Sequence, residues 1–156
     1  MAPLRSAIEP HRPLGLELLA TPGHSPDHHV VWDAEREILF AGDLFLGVKV
    51  RVARPMEDPR ALARSARRAA ALRPRVLYDA HRGLVPNGAQ ALAAKAAWLE
   101  ETIGTVDEHV ARGWSDRAIT RVVLGREDVV AVVSRGDLSR LNFVRAVRAT
   151  AARPAG

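Results

Sequence analysis

Cysteine is absent from this chain, which excludes disulfide bonds and thiolate metal sites. Histidine, aspartate and glutamate are then the only strong metal ligands available. Long apolar runs are missing too. No stretch approaches the roughly 18 apolar residues of a membrane helix, and the first residues, MAPLRSAIEP, lack the apolar centre of a signal peptide. We therefore expect a cytoplasmic protein that has no membrane partner.

Lysine is nearly absent, because Lys49 and Lys95 are the only two in a chain with a formal net charge of +5. The positive charge is almost entirely arginine, which crowds the stretch from Arg60 to Arg82. Such crowding would suit a phosphate or nucleic-acid surface. The chain has a single tyrosine and no interleaving of basic and aromatic residues, which favours a solvated helix face over a nucleic-acid partner.

The length of 156 residues, with 47% apolar and 26% charged residues, is typical of one globular domain. Short apolar runs bounded by turn residues predict β-strands. The polar stretch 33–37 separates two of these runs and predicts a hairpin. Residues 1–14 are rich in proline and predict an irregular lead-in, and residues 153–156 predict a frayed tail. The expected strands are 16–20, 29–32, 38–41 and 76–78.

Helix signals occupy the stretch after residue 57. Asp58 followed by proline predicts an N-cap and a first helical residue, and a strand after this helix predicts a crossover onto the sheet. Residues 129–133 fit a strand or a buried helical turn equally well. We expect a β-rich part over 1–86 and a helical part of the same domain over 87–156. The other expected helices begin after Gly88 (apolar stripe from Leu92 to Val110), at Ser115 (with Ile119, Val122 and Val123, ending at Gly125) and at Asp137.

Three short motifs stand where strands are expected to end, and they carry His24, Asp43 and His81. Strand ends on a rigid scaffold can bring such side chains together, and histidine and carboxylate are metal ligands. Each residue also has a purely structural interpretation. In that interpretation His24 and His81 are loop histidines without a metal, and Asp43 is the N-cap of the turn that follows it. Asp27 and His28 follow His24 closely and are candidates for holding its loop.

The motifs TPGHSPDHHVVWD, ILFAGDLFLG and VLYDAHRGLVPNG resemble, in order and spacing, the second half of the metallo-β-lactamase-fold hydrolases. The resemblance spans about residues 15–148 and implies an α/β fold, the αββα sandwich, with two metal ions. These are usually zinc and sometimes iron or manganese. It further implies that His24 binds the first metal, Asp43 bridges both and His81 binds the second. A metal-bridged hydroxide would then attack an ester, thioester or phosphodiester-type small-molecule substrate.

The family's His-x-His-x-Asp-His motif does not occur in these 156 residues, and Ala80 replaces the glycine that usually precedes the last histidine. We therefore expect a half or truncated sandwich with a helical C-terminal extension. Val30, Trp32, Leu39 and Phe40 would be left uncovered unless a homodimer or a separate N-terminal half covers them. The alternative function is a non-catalytic remnant or assembly module that keeps the half-fold.

Overall fold

The structure is a computed structural model that describes residues 15–127 and 129–151. The expected lead-in over 1–14 and the tail over 153–156 lie outside the described residues. A five-stranded sheet has its strands side by side in chain order, β1-β2-β3-β4-β5. The strands are β1 (Leu16–Ala20), β2 (His29–Asp33), β3 (Ile38–Gly42), β4 (Val76–Asp79) and β5 (Gly83–Pro86). The first four strands confirm the sequence prediction, whereas β5 was not predicted.

The helices follow the order expected from the capping signals. None of the described helices is both long and apolar enough to cross a membrane. A π-helical turn, Thr120–Leu124, directly continues the third helix and ends at Gly125. The helices are α1 (Pro59–Ala71), α2 (Gly88–Ala111), α3 (Asp116–Ile119), α4 (Val129–Val133) and α5 (Arg140–Ala151).

Helix α1 is the crossover between two parallel strands, β3 and β4, while the other neighbouring strands are antiparallel. Its start is the one that the sequence predicts. The Asp58 side chain accepts hydrogen bonds from the backbone N–H groups of Arg60 and Ala61, and Pro59 occupies the first helical position. An N-cap satisfies two donors that the helix itself leaves without partners. The chain after β3 therefore turns into a helix that packs back on the sheet.

One face of the sheet is covered by α1 and α2, which corrects an expectation from the sequence. Val30, Trp32 and Leu39 are buried, packed in one core with alanines of α1 and with Leu92 of α2. They were expected to lie uncovered. The expectation grouped Leu39 with Phe40, although neighbouring residues of a strand point to opposite faces; Trp32 pairs with Leu39 across β2 and β3, and both point to the helix side.

The opposite face of the sheet is not covered by any described element and carries a row of apolar side chains. Phe40 is 43% exposed and stacks on Tyr78, with ring centroids 5.3 Å apart and planes 11° apart. The row runs across all five strands through consecutive partners, namely Leu18, Val31, Phe40, Tyr78 and Leu84. A sheet that is apolar on both faces is characteristic of an inner layer.

A second core holds the helical part together, and the start of its last helix corrects a further expectation. Leu99 and Val106 of α2 pack with residues of α3 and α5. The cap of α5 is Ser139, whose Oγ accepts from Asn142 N at 3.0 Å. The prediction of Asp137 as that cap was wrong.

The short helices also differ from the sequence prediction. Val122 is 61% exposed, although it was expected on the apolar face of the helix capped by Ser115. Ile119 is buried as expected, and Leu124 is buried in place of Val122, because the wider π-helical turn rotates the buried face. Residues 129–133, which fitted strand and helix equally well, form α4.

Candidate metal centre

His24 lies in a loop that is pressed against the start of α1. The backbone N–H of Asp58 donates to the Gly23 carbonyl at 2.8 Å. Gly23 has a φ of +143°, and a Cβ at this position would lie 2.4 Å from the backbone nitrogen of Leu62. Only glycine fits so close an approach of two backbones. The Thr-Pro-Gly frame therefore has a steric purpose, which is to place His24 beside the first turn of α1.

Asp43 follows β3, and His28 holds its backbone. The Asp43 N–H donates to His28 Nε2 at 3.2 Å. Because Nε2 accepts, the neutral ring carries its proton on Nδ1, which lies 2.8 Å from Thr21 Oγ1. Burial, and then the neighbouring His24, lower the pKa of His28, which favours this neutral form. His28 thus ties the His24 loop to the start of the Asp43 turn.

His81 follows β4 in a turn that a carboxylate stabilises. Asp79 Oδ1 accepts hydrogen bonds from the backbone N–H groups of His81 at 2.7 Å and Arg82 at 3.0 Å. This local turn directs the exposed imidazole of His81 towards Asp43. His81 Nε2 lies 3.1 Å from Asp43 Oδ1.

The three side chains singled out in the sequence meet at the Asp43 carboxylate. His24 Nε2 lies 3.4 Å from Asp43 Oδ2, while His81 occupies the other oxygen. In the part of the chain that the structure describes, no three histidine or carboxylate side chains converge to hold a single ion. The arrangement is therefore two histidine–oxygen pairs that share one carboxylate. The metal-ligand roles of the three residues stay a prediction.

The donors fit a metal pair in type and spacing. A tetrahedral zinc ion with bonds of about 2.0–2.2 Å separates neighbouring donors by roughly 3.3–3.6 Å. The two histidine–oxygen separations, 3.4 Å for His24 and 3.1 Å for His81, fall in or near this range. Imidazole and carboxylate suit zinc, iron and manganese alike. Each pair offers only two donors, so further ligands are needed to close either coordination shell.

Glu57 is a site residue that the sequence analysis missed. Its Oε1 lies 3.3 Å from His24 Nδ1, on the side of the ring opposite Asp43, and its side chain is largely buried. Burial raises the pKa of Glu57 while the neighbouring His24 acts against this rise. A carboxylate on the second nitrogen fixes the orientation of a metal-binding histidine. The residue precedes the Asp58 cap, and nothing in the local sequence indicates that it faces His24.

Lys95 is a second missed residue, and it lies beneath the site in α2. Its side chain is 1% exposed, and Nζ donates to the carbonyls of Phe45 and Gly47, in the loop that follows Asp43. Lys95 shares the lining of a cavity of about 20 Å³ with His24, Asp43 and Glu57. Such a volume has room for a single water molecule.

Asp27 and two of the crowded arginines have their partners outside this centre. Asp27 is exposed, and its carboxylate accepts from Ser25 Oγ at 2.8 Å; this bond is the main reason that its pKa is lowered. Of the crowded arginines, Arg60 pairs with Asp107 and Arg67 pairs with Glu100. These ion pairs join α1 to α2 at the surface.

Comparisons with known proteins found similarity to one superfamily. Residues 7–81 match the family model described as the metallo-beta-lactamase superfamily, a segment that contains His24, Asp43 and His81. The Beta-lactamase-like protein 2 homolog of Caenorhabditis elegans is 44% identical over 43 residues, which are 28% of this chain and 15% of that protein. A metallo-beta-lactamase family protein from Thermus thermophilus superposes with a TM-score of 0.58 at 21% identity, over 90% of this chain and 46% of that one.

A segment of the chain, residues 7–81, is thus similar to the metallo-β-lactamase superfamily, and the fold resembles that of a solved protein of this family. This is a superfamily of metallo-hydrolases whose members generally bind divalent metals. The five-stranded sheet with its helices matches the fold of the Thermus protein, while the chain spans less than half of that protein's length.

Proposed function

We propose that this chain carries part of the metal centre of a metallo-hydrolase, with His24, Asp43 and His81 as ligands of a divalent metal pair, most favourably zinc. The observation that carries the proposal is the Asp43 carboxylate, which has one histidine nitrogen near each of its oxygens. A carboxylate with this surrounding can bridge two ions. When bound, such metal ions lower the pKa of water and so supply a nucleophile at neutral pH.

The neighbouring residues have distinct supporting roles in this proposal. Glu57 holds the His24 ring through Nδ1, which leaves Nε2 directed at Asp43. His28 accepts from the Asp43 N–H, and Lys95 donates to the two carbonyls of the following loop. Both sides of the Asp43 turn are thus held in place before any metal binds. Preorganisation of this kind raises affinity because less order is lost on binding.

Metal binding without catalysis is the first test. Metal-free protein is dialysed against Zn²⁺ or Mn²⁺, and the bound metal is measured by elemental analysis. We expect about one ion or more per chain, with a clear loss in Asp43→Asn and His24→Gln. The matched control is His109→Gln, because His109 contacts Trp114 away from the site. A wild-type chain that binds no metal, or an Asp43→Asn variant that binds it unchanged, would refute the proposal.

Hydrolysis of ester, thioester and phosphodiester compounds is the second test. Each histidine–oxygen pair lacks further ligands among the described side chains, so we expect weak activity from this chain by itself. Activity should depend on added metal and vanish in Asp43→Asn. Hydrolysis that persists in excess chelator would argue against a metal-dependent reaction.

The uncovered sheet face favours a second candidate function, assembly, and we propose a second copy of this chain as its occupant. The central row, from Leu18 to Leu84, carries no formal charge, so two copies would not repel each other there. Five strands of about five residues give a face of roughly 24 by 16 Å. The area of this face is about half of the roughly 800 Å² per partner that a stable interface buries, so the dimer should be weak.

Sedimentation velocity over a range of concentrations tests this assembly. The wild-type chain should shift from monomer towards dimer as concentration rises, and Phe40→Lys should stay monomeric. Leu84 also lies on this row, so Leu84→Lys should have the same effect, whereas Val129→Lys on the distant α4 should have none. A monomer at all concentrations, or capture only by a different chain, would exclude the self-association.

A further inference from the structure

A second cavity, of about 340 Å³, lies in the helical part of the chain. The π-helical turn, the segment that follows it and the first turn of α5 form its walls. Its volume is at the lower end of the range for small-molecule sites, about 300–1,000 Å³. The lining residues are Arg117, Thr120, Arg121, Gly125, Arg126, Glu127 and Leu141.

Carboxylates of the described residues do not neutralise the positive charge around this cavity through ion pairs. Over residues 15–127 and 129–151, no carboxylate lies within ion-pair distance of the guanidinium groups of Arg117, Arg121 or Arg126. The nearby Asp116 pairs with Arg148 instead, at 2.7 Å. The crowded arginines of α1, in contrast, include two that pair with carboxylates of α2. Three exposed arginines of like charge therefore line one concave surface, and a positive potential there attracts anions.

The one carboxylate in the lining has its hydrogen bonds elsewhere. Glu127 Oε1 accepts from the backbone N–H of Leu141 at 2.7 Å, and Oε2 accepts from that of Arg140 at 3.1 Å. Glu127 therefore caps the first turn of α5, where a negative charge is favourable. The Thr120 hydroxyl donates to the Asp116 carbonyl at 2.7 Å, so its hydrogen is already used within the helix.

We propose that this cavity binds the phosphate group of a ligand. The planar guanidinium group of arginine presents paired N–H donors that fit two phosphate oxygens. Three arginines line this concave surface. The π-helical turn, a rare element that is frequent at functional sites, carries Arg121 one turn after Arg117 of α3. Leu141 adds an apolar surface for the rest of the ligand. The site is separate from His24 and Asp43 and does not depend on a metal.

Inorganic pyrophosphate and a short single-stranded oligonucleotide are the probes, since both present phosphate oxygens. Binding is measured by calorimetry at low salt with EDTA, so that neither probe can bind through a metal ion. The test variant is Arg117→Gln with Arg121→Gln. The matched control is Arg51→Gln with Arg75→Gln, two exposed arginines outside the cavity. Thermal unfolding is recorded for each, and Arg126→Gln replaces the test variant if that one does not fold.

We expect the dissociation constant of at least one probe to rise about tenfold or more in the test variant and by less than about twofold in the control. Loss of pyrophosphate binding would identify a small phosphorylated ligand. Loss of oligonucleotide binding alone would identify a polynucleotide backbone as the source of the phosphate. Equal weakening in test and control variants, or a wild-type chain that binds neither probe, would overturn the proposal.

Discussion

The buried ammonium group of Lys95 should make the stability of this protein rise with pH in the alkaline range. Lys95 is almost entirely buried, and this burial lowers its pKa to about 8. Glu57 and Asp79 act against the shift but do not cancel it. In the unfolded chain the same group has a pKa of about 10.4. The folded state therefore releases the Lys95 proton at a lower pH than the unfolded state does.

The size of the effect follows from the difference between the two pKa values. A difference of about 2.5 units corresponds to about 3 kcal/mol, at about 1.4 kcal/mol per unit. Below pH 8 both states are protonated, and the folded state carries the full cost of the buried charge. Between about pH 8 and 10.4 the unfolded state binds more protons, so the free energy of unfolding increases with pH. The neutral amine keeps hydrogen atoms that it can donate to the Phe45 and Gly47 carbonyls.

Urea unfolding at several pH values from 7 to 10 measures this slope. Lys95→Met removes the titrating group while keeping an unbranched apolar stem, so the variant should lose the rise. Only one other lysine is present, the exposed Lys49, and arginines stay charged throughout this range. Lys49→Met is therefore the matched control and should keep the wild-type slope. A wild-type curve that is flat above pH 8, or an unchanged slope in Lys95→Met, would refute the reasoning.

Three further predictions concern capping and close packing, and chemical denaturation measures each of them. Asp58→Ala should lower the free energy of unfolding by about 1 kcal/mol, since it removes the acceptor at the start of α1. Gly23→Ala should cost about 3 kcal/mol or prevent folding, because its Cβ would overlap the Leu62 backbone; a loss below about 1 kcal/mol would contradict the close approach. Ser139→Ala should cost about 1 kcal/mol, and Asp137→Ala should change little; the reverse order would restore Asp137 as the cap.

Local signals predicted the elements well wherever a few neighbouring residues decide the outcome. The start of α1 depends on one side chain and the two N–H groups that follow it, so Asp58 and Pro59 are sufficient to locate it. The apolar runs before His24, Asp43 and His81 likewise indicated the strands that carry them. The start of α5 shows where such local signals are insufficient. Asp137 and Ser139 are both residue types that cap helices well, and only the tertiary path of the chain places Ser139 at the helix start.

Side-chain partners from distant segments could not be predicted in the same way. Glu57 reaches His24 across 33 positions because the Asp58 N–H binds the Gly23 carbonyl and brings the two segments together. Lys95 resembles any other polar residue in a helix until α2 packs behind the Asp43 loop. The covered sheet face could not be identified either: Leu39 and Phe40 were expected to share one environment, but they point to opposite faces and only Leu39 is covered by the helices.

The sequence by itself determined the kinds of donor that this protein can offer and the loops that carry them. Histidine and aspartate follow the ends of apolar runs, and the lack of cysteine leaves these residue types as its strong ligands. Only the tertiary structure decided that His24 and His81 meet at opposite oxygens of Asp43, that Glu57 and Lys95 support them, and that no described element covers the second sheet face. The physical reason is that strand order, register and helix packing arise from contacts between residues far apart in the chain, and no local pattern encodes them.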